Sequence, residues 1–464
     1  MWVSSELLIA EGDSPGARNG HIEPRRPTPR WSRARRAHGP VNRWWIRTHR
    51  WVSLALGLLF ILEATTGAVL LYGNDLARAL HPERYVVTPS ATPMSQLDAL
   101  TMVRASHPEL HAVGVQDYEG VYLVRGDSES RDSVDAFIDP GTGRINGTGA
   151  EQPWFVLLMI NIHDCALSCA GLPGYQAWLS TPLPSVFGAD TTLGYYLLGV
   201  LGVVLIFLSI SGAIVWWPGL RALISGFTVR RGRGNYVRDL DLHRLVGIIA
   251  VPFMLMWGVT GAAFFFHWPE QAYYALAPGT AHDDPAPPTP GTGPMLSLAQ
   301  AQQVALAAHP GASVAGLSEL HPEAPGGSYG FRLRQGSDPY EHWNYSGALY
   351  VGVDSHGGGI QDYAPEQPGA PLTQRLWDGG VYDGLHFGTS VSAVPRVVWL
   401  LFGLTPVLLG ITGTTVWLTK SRSNRNRRRR RRRRATAGSA RASSGGSDPT
   451  PGARPSRPTR PTDR

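Results

Sequence analysis

The chain has 464 residues, 43% of them hydrophobic and 17% charged, and a formal net charge of +7. Its mean hydropathy of −0.11 conceals segregation: apolar residues collect in four blocks with polar sequence between them, which excludes an ordinary soluble globule. The charge is equally local. Arg427 to Arg434 is unbroken arginine with no aromatic or motif context, so no nucleic-acid partner is expected, and two cysteines are too few for a disulfide scaffold.

In chain order, residues 1–43 are Pro/Arg-rich and lack an apolar stretch of signal-peptide length. They read as a disordered basic cytoplasmic tail, with the first hydrophobic block as an uncleaved signal anchor. Crossing a hydrocarbon core takes about 20 apolar residues, and four windows qualify: Trp51–Tyr72, Leu193–Trp217, Leu245–Phe266 and Val397–Leu418. They define spans over 44–73, 193–218, 243–267 and 397–419. Residues 74–150 and 294–366 each read as a helix followed by alternating strands with Gly-rich turns, a small α+β module. The segments 151–192 and 367–396 are expected at the outer interface, 219–242 as a basic loop, 268–293 as a linker and 420–464 as a disordered Arg-rich tail. The fold class is thus a membrane protein, an all-α four-helix transmembrane bundle with two extracytoplasmic α+β modules.

Flanking charge orients it. Arg33, Arg35, Arg36, Arg43, Arg47 and Arg50 precede the first span; Arg221, Arg230, Arg231, Arg233 and Arg238 lie between the second and third; Lys420 and Arg422 follow the fourth. These segments share one side if the helices alternate, so both termini are expected in the cytoplasm and both modules outside a plasma membrane. The arginine tail suits anionic lipid headgroups.

The chain also reads as one unit written twice, an internal duplication. Thr48-His49-Arg50 and Thr66-Gly67 in the first span match Leu242-His243-Arg244 and Thr260-Gly261 in the third, with 18 residues from His to Gly in both. Ser211-Gly212 in the second span matches Thr412-Gly413 in the fourth, and His163 and His386 precede those spans on the outer side. Eighteen helical residues are five turns and about 27 Å, so Gly67 shares a face with His49 at the opposite edge of the bilayer, as Gly261 does with His243. Each edge therefore offers two histidines and two Ser/Thr-Gly steps. Paired neutral imidazoles in an apolar bundle are the ligand set of bis-histidine haem iron. Glycine lets a flat group approach the backbone, and Arg50 and Arg244 suit haem propionates. Two b-type haems, one at each edge, make a route for electrons across the membrane.

These residues, with the Ser/Thr-Gly-x-x-x-Trp of spans two and four, resemble the PepSY-associated transmembrane family of bacterial inner-membrane proteins over about residues 44–420, with the two modules similar to PepSY domains. The resemblance implies haem ligation by His49, His163, His243 and His386, and reduction of ferric siderophores outside the cell to release iron. The electron donor is then a cytoplasmic partner or a quinol, because the chain carries no flavin or nicotinamide motif. Two other readings are a PepSY-type sensor or regulator of envelope proteins and a haem or siderophore transport component.

Several residues stand apart. The insertion of roughly twenty residues after His163 makes His267 a competing outer ligand. Glu63 lies inside span one, where an ionisable group is costly, and reads as a proton relay or a buried neutral carboxyl. Asp164, Asp239 and Asp241 are candidates to orient an imidazole. Cys165 and Cys169, on the outer side, fit a local disulfide, free thiols or a metal or redox role. Gly141-Thr142-Gly143 reads as a hairpin turn rather than a phosphate loop.

Overall fold

A computed structural model of the chain describes residues 40–126, 134–187, 191–280, 288–324, 326–335, 347, 349–357, 359–363, 371–377, 383–388 and 393–444. In it, four helical segments are long and apolar enough to cross a membrane: Arg43–Leu70, Leu193–Trp216, Asn235–Ala263 and Arg396–Arg430. The first belongs to α1 (Pro40–Leu70), which is followed by the short α2 (Gly73–Leu80) and by α3 (Gln96–Ser106). Then come α4 (Trp154–His163), the second span α5 (Leu193–Trp216), the third span α6 (Asn235–Ala263) and α7 (Trp268–Tyr274). After α8 (Leu298–Ala308), α9 (Leu372–Leu376) and α10 (Asp383–Phe387), the fourth span is built from α11 (Ala393–Gly403) and α12 (Thr405–Ser444).

Four points differ from the sequence reading. The helix of the third span starts at Asn235, well before the apolar window, because nothing in Asn235–Leu242 breaks a helix and Asp241 anchors the preceding loop by accepting from Arg230. The fourth span breaks at Leu404, two residues ahead of Pro406, whose ring fixes it to the first turn of a new helix. The tail expected to be disordered from residue 420 is helical to Ser444, since arginine is a good helix former and nothing interrupts the run. Part of the expected linker is likewise the helix α7, begun by Pro269. The expected basic tail before residue 40 and the end beyond 444 lie outside the described residues, as does part of the segment expected between the second module and the fourth span.

Within the bundle, α5 and α6 pack closely where glycine faces glycine. A Cβ on Gly202 would sit 2.7 Å from the Ala262 nitrogen, and one on Gly258 would sit 3.0 Å from the Ile206 nitrogen. Small residues let helix backbones approach in this way, and that approach holds membrane helices together.

Among the described residues the strands are β1 (Ala112–Tyr118), β2 (Val121–Gly126), β3 (Asp135–Ile138), β4 (Ile145–Gly149), β5 (Ser313–Leu320), β6 (Ser328–Arg334), β7 (Leu349–Asp354) and β8 (Ile360–Tyr363). They were expected as two modules and form one antiparallel sheet, in the order β4-β3-β2-β1-β5-β6-β7-β8. The seam is β1 against β5, with Gly114 opposite Ser318 and Gln116 opposite Gly316. Gly114 is required there, since a Cβ would lie 2.7 Å from the Leu317 carbonyl oxygen. Arg104 clamps Glu319 with two nitrogens across the seam, and Arg334 pairs with Asp117. Joining the halves removes two edge strands that would otherwise present unpaired backbone. α3 and α8 cover one face, burying Leu100, Val103, Val124, Leu317, Phe331 and Val351 in a common core.

Each half also pins its entry chain with a buried aspartate. Asp139 accepts from the Thr88 and Gly141 backbone and from the Thr142 hydroxyl, and Asp354 accepts from the Gly291 and His356 backbone. Gly141-Thr142-Gly143 forms the turn between β3 and β4.

Candidate functional site

Four histidines meet four Ser/Thr-Gly steps. At the end of the bundle away from the sheet, His49 Nδ1 lies 2.8 Å from Ser211 Oγ, and His243 Nδ1 lies 3.1 Å from Thr412 Oγ1. At the sheet-side end, His163 Nδ1 lies 3.1 Å from Thr66 Oγ1, and His386 Nδ1 lies 2.8 Å from Thr260 Oγ1. The glycine that follows each hydroxyl faces the same ring. A Cβ would stand 3.3 Å from His49 Cε1 at Gly212, 3.2 Å from His243 Cε1 at Gly413, 2.8 Å from His163 Cε1 at Gly67 and 3.7 Å from His386 Cε1 at Gly261. The hydroxyl and the glycine thus act as one latch: the first residue holds the ring by its nitrogen, and the second makes room for its edge.

The hydroxyl protons fix the tautomer. Ser211 donates to the Leu208 carbonyl, Thr412 to Leu408, Thr66 to Glu63 and Thr260 to Met256. A hydroxyl has one hydrogen, so toward the imidazole each of these oxygens accepts. With the hydroxyl hydrogen on the helix carbonyl, Nδ1–H is the donor of each pair. Among the described residues no hydrogen bond engages Nε2 of His49, His163, His243 or His386. In all four rings Nδ1 is tied to a hydroxyl, and Nε2 is the nitrogen left for a further partner.

The sheet-side rings associate as a couple. His163 and His386 have ring centroids 6.3 Å apart and planes inclined at 53°. Phe264 stands edge-on to His386 at 5.1 Å. His267, the competing outer candidate, is exposed at the start of α7 and takes no part.

The sheet-side couple is electrostatically unequal. Both rings are half-buried in the apolar bundle, which disfavours their charged forms. For His163 the Glu63 carboxylate, at 3.1 Å from Nδ1, more than offsets the burial and holds the imidazole up at about 9. Among the described residues His386 has no such partner, so burial, and then the neighbouring His163, push it down to about 3. Residue typing alone could not rank Glu63 above the other carboxylates. Asp239 pairs with Arg238 and Asp241 with Arg230, and Asp164 is exposed.

The remaining sequence candidates are placed as follows. Arg50 has a buried Nε without a hydrogen-bond partner, and its guanidinium lies 5.4 Å from the Trp51 ring centroid. Arg244 donates to the Trp216 carbonyl. Cys165 and Cys169 form a disulfide that closes the turn after His163, where Ala166 and Leu167 hold positive φ values of 47° and 65°. Among the described residues no group of three or more His, Cys, Asp or Glu side chains is arranged to hold a metal ion by itself; the imidazoles come in twos.

A family model described as the PepSY-associated TM region matches residues 46–420. No curated protein matches the chain.

Proposed function

The chain belongs to the PepSY-associated TM region family, and from that premise we propose that it carries electrons across a bacterial plasma membrane through two b-type haems. His49 and His243 would hold one haem, and His163 and His386 the other. The observation that carries this reading is the fourfold latch, with Nδ1–H on a hydroxyl, Nε2 free, and glycine against the ring edge.

The residues present fit the group. Two imidazoles that share one metal through nitrogens at about 2 Å put their ring centroids about 6 Å apart, and His163 and His386 stand at 6.3 Å. The buried, unpaired Arg50 Nε suits a propionate carboxylate beside His49. Haem, when bound, supplies a one-electron ferric/ferrous couple. What the protein does is hold four imidazoles in one tautomer, keep water from them with the apolar bundle, and set the two couples at opposite membrane edges. His49 and Gly67 lie on one continuous helix, α1, about 27 Å apart along its axis.

On the positive-inside rule the basic end, with Arg230, Arg231, Arg233 and the α12 arginines, is cytoplasmic and the eight-stranded sheet is outside. Both halves supply one helix and four strands, two spans and two latched histidines, which supports an ancestral duplication. Electrons would enter from a cytoplasmic carrier or a quinol and leave to an acceptor beneath the sheet. That acceptor we take, from the family resemblance, to be ferric siderophore. The test is a reduced-minus-oxidised spectrum of the purified protein, followed by ferric-chelate reduction in sealed vesicles with the donor inside. A sharp α-band lost in His49→Ala or His163→Ala, together with outward chelate reduction, is expected. A folded, colourless protein from haem-replete cells contradicts the proposal.

A further inference from the structure

Adding 194 to His49, Glu63, Thr66 and Gly67 gives His243, Trp257, Thr260 and Gly261. Glu63 and Trp257 thus hold matching places, one turn before a Thr-Gly latch, and they do different things there. Glu63 presents Oε2 to His163 Nδ1 at 3.1 Å, beside its own carbonyl oxygen at 3.0 Å and the Thr66 hydroxyl at 3.1 Å. Trp257 turns its indole N–H away from the ring, to the His386 carbonyl at 3.1 Å, and leaves Thr260 to take Nδ1. His49 and His243 have hydroxyl latches, Ser211 and Thr412, and among the described residues no carboxylate bonds to either ring. One of the four latched imidazoles is therefore backed by a carboxylate. It sits at the sheet-side end, where the electron leaves.

We propose that Glu63 is a positioning residue that lowers the reduction potential of the sheet-side haem, and so makes that haem the stronger reductant of the two. This rests on the electron-transfer reading above. A carboxylate that accepts the Nδ1 proton pulls it outward and returns electron density to Nε2, making the ring a better donor to iron. A better donor favours ferric over ferrous iron, as axial ligation and its hydrogen bonds do generally. Trp257 gives no such push to His386, so the two histidines would hold the group unequally. A lower potential at the exit opposes the internal step from the first haem to the second. The membrane potential, negative inside, drives electrons outward and works against that opposition. The arrangement matches an acceptor that is hard to reduce, because the driving force is delivered where the acceptor docks.

The test is a spectroelectrochemical titration of the full-length, detergent-purified protein with both haems bound, compared with Glu63→Gln and Glu63→Asp. Glu63→Gln keeps the shape and removes the charge. It is expected to shift one midpoint potential upward and leave the other in place, while Glu63→Asp shifts the same midpoint less. Two unmoved midpoints in Glu63→Gln, with two haems retained, overturn the proposal. If Glu63→Gln loses the sheet-side haem, the unsubstituted protein decides by electron paramagnetic resonance. Two distinct ferric low-spin signals, one with a narrower g-spread from an imidazolate-like ligand, support it, and two identical signals overturn it. A wild-type protein without haem is a different outcome, and it removes the electron-transfer reading instead.

Discussion

At Gly67 an added methyl group would stand 2.8 Å from His163 Cε1, inside any real contact distance; at Gly261 it would stand 3.7 Å from His386 Cε1, an ordinary one. The same substitution therefore has two outcomes. If the couples hold haem as proposed, Gly67→Ala is expected to displace His163 and reduce sheet-side haem occupancy about tenfold or more, the scale of losing the support of a metal ligand, while Gly261→Ala keeps both haems; haem per chain by absorbance separates them. The hydroxyls make a second case. Thr412→Val leaves His243 Nδ1–H without its acceptor and is expected to weaken haem retention at the tail-side couple by about 10- to 100-fold, read as haem lost on dilution. Outside the membrane, burial raises the Asp135 carboxyl from 3.8 to about 6. Its folded value lies above its unfolded one, so its contribution to stability is fully present below about pH 4 and lost as the pH rises through about 6. Asp135→Asn, which still accepts from the Gly126 N–H, is expected to raise the thermal midpoint at about pH 7.5, by an amount of order 2 kcal/mol in stability, and to change little at about pH 4. At this scale the four histidines and their glycines were legible, because both repeats keep the same 18-residue step. Which latch serves which ring was not, since His163 and His386 reach Thr66 and Thr260 across nearly 100 residues or more of chain. The role of Glu63 was equally hidden, being set by a tertiary contact.

Among the elements, the α5–α6 pair holds the most demanding contact. Gly202 and Gly258 bring one backbone within van der Waals reach of the other, so Gly258→Leu forces the helices apart. A cost of about 1–3 kcal/mol is expected, visible as a lower melting temperature in detergent with loss of haem at the same temperature. The four spans were legible as apolar length, a property of the sequence alone. Their ends were not: Asn235–Leu242 and the arginine run are polar yet helical, because a helix that leaves the membrane pays no penalty for polar side chains. The strands were legible as alternation, but the β1–β5 seam was not, since pairing between distant segments leaves no local signal. Gly114 and Gly316, the small residues that permit it, resemble any other strand glycine until their partners are known.

Taken whole, the chain brings His163 and His386 together at one end of the helical bundle and latches His49 and His243, the second proposed couple, at the other. Each half of the chain provides one histidine to each couple, so neither half is expected to hold a haem alone. The separately expressed segments 1–234 and 235–464 should be colourless apart and regain absorbance when combined, and full haem binding by either segment alone would argue against shared couples. The most direct measurement is haem per folded chain, by pyridine haemochrome assay against quantitative amino-acid analysis. The account predicts two b-type haems per chain, falling to one in either His49→Ala or His386→Ala. A monodisperse, folded protein with no haem would contradict it.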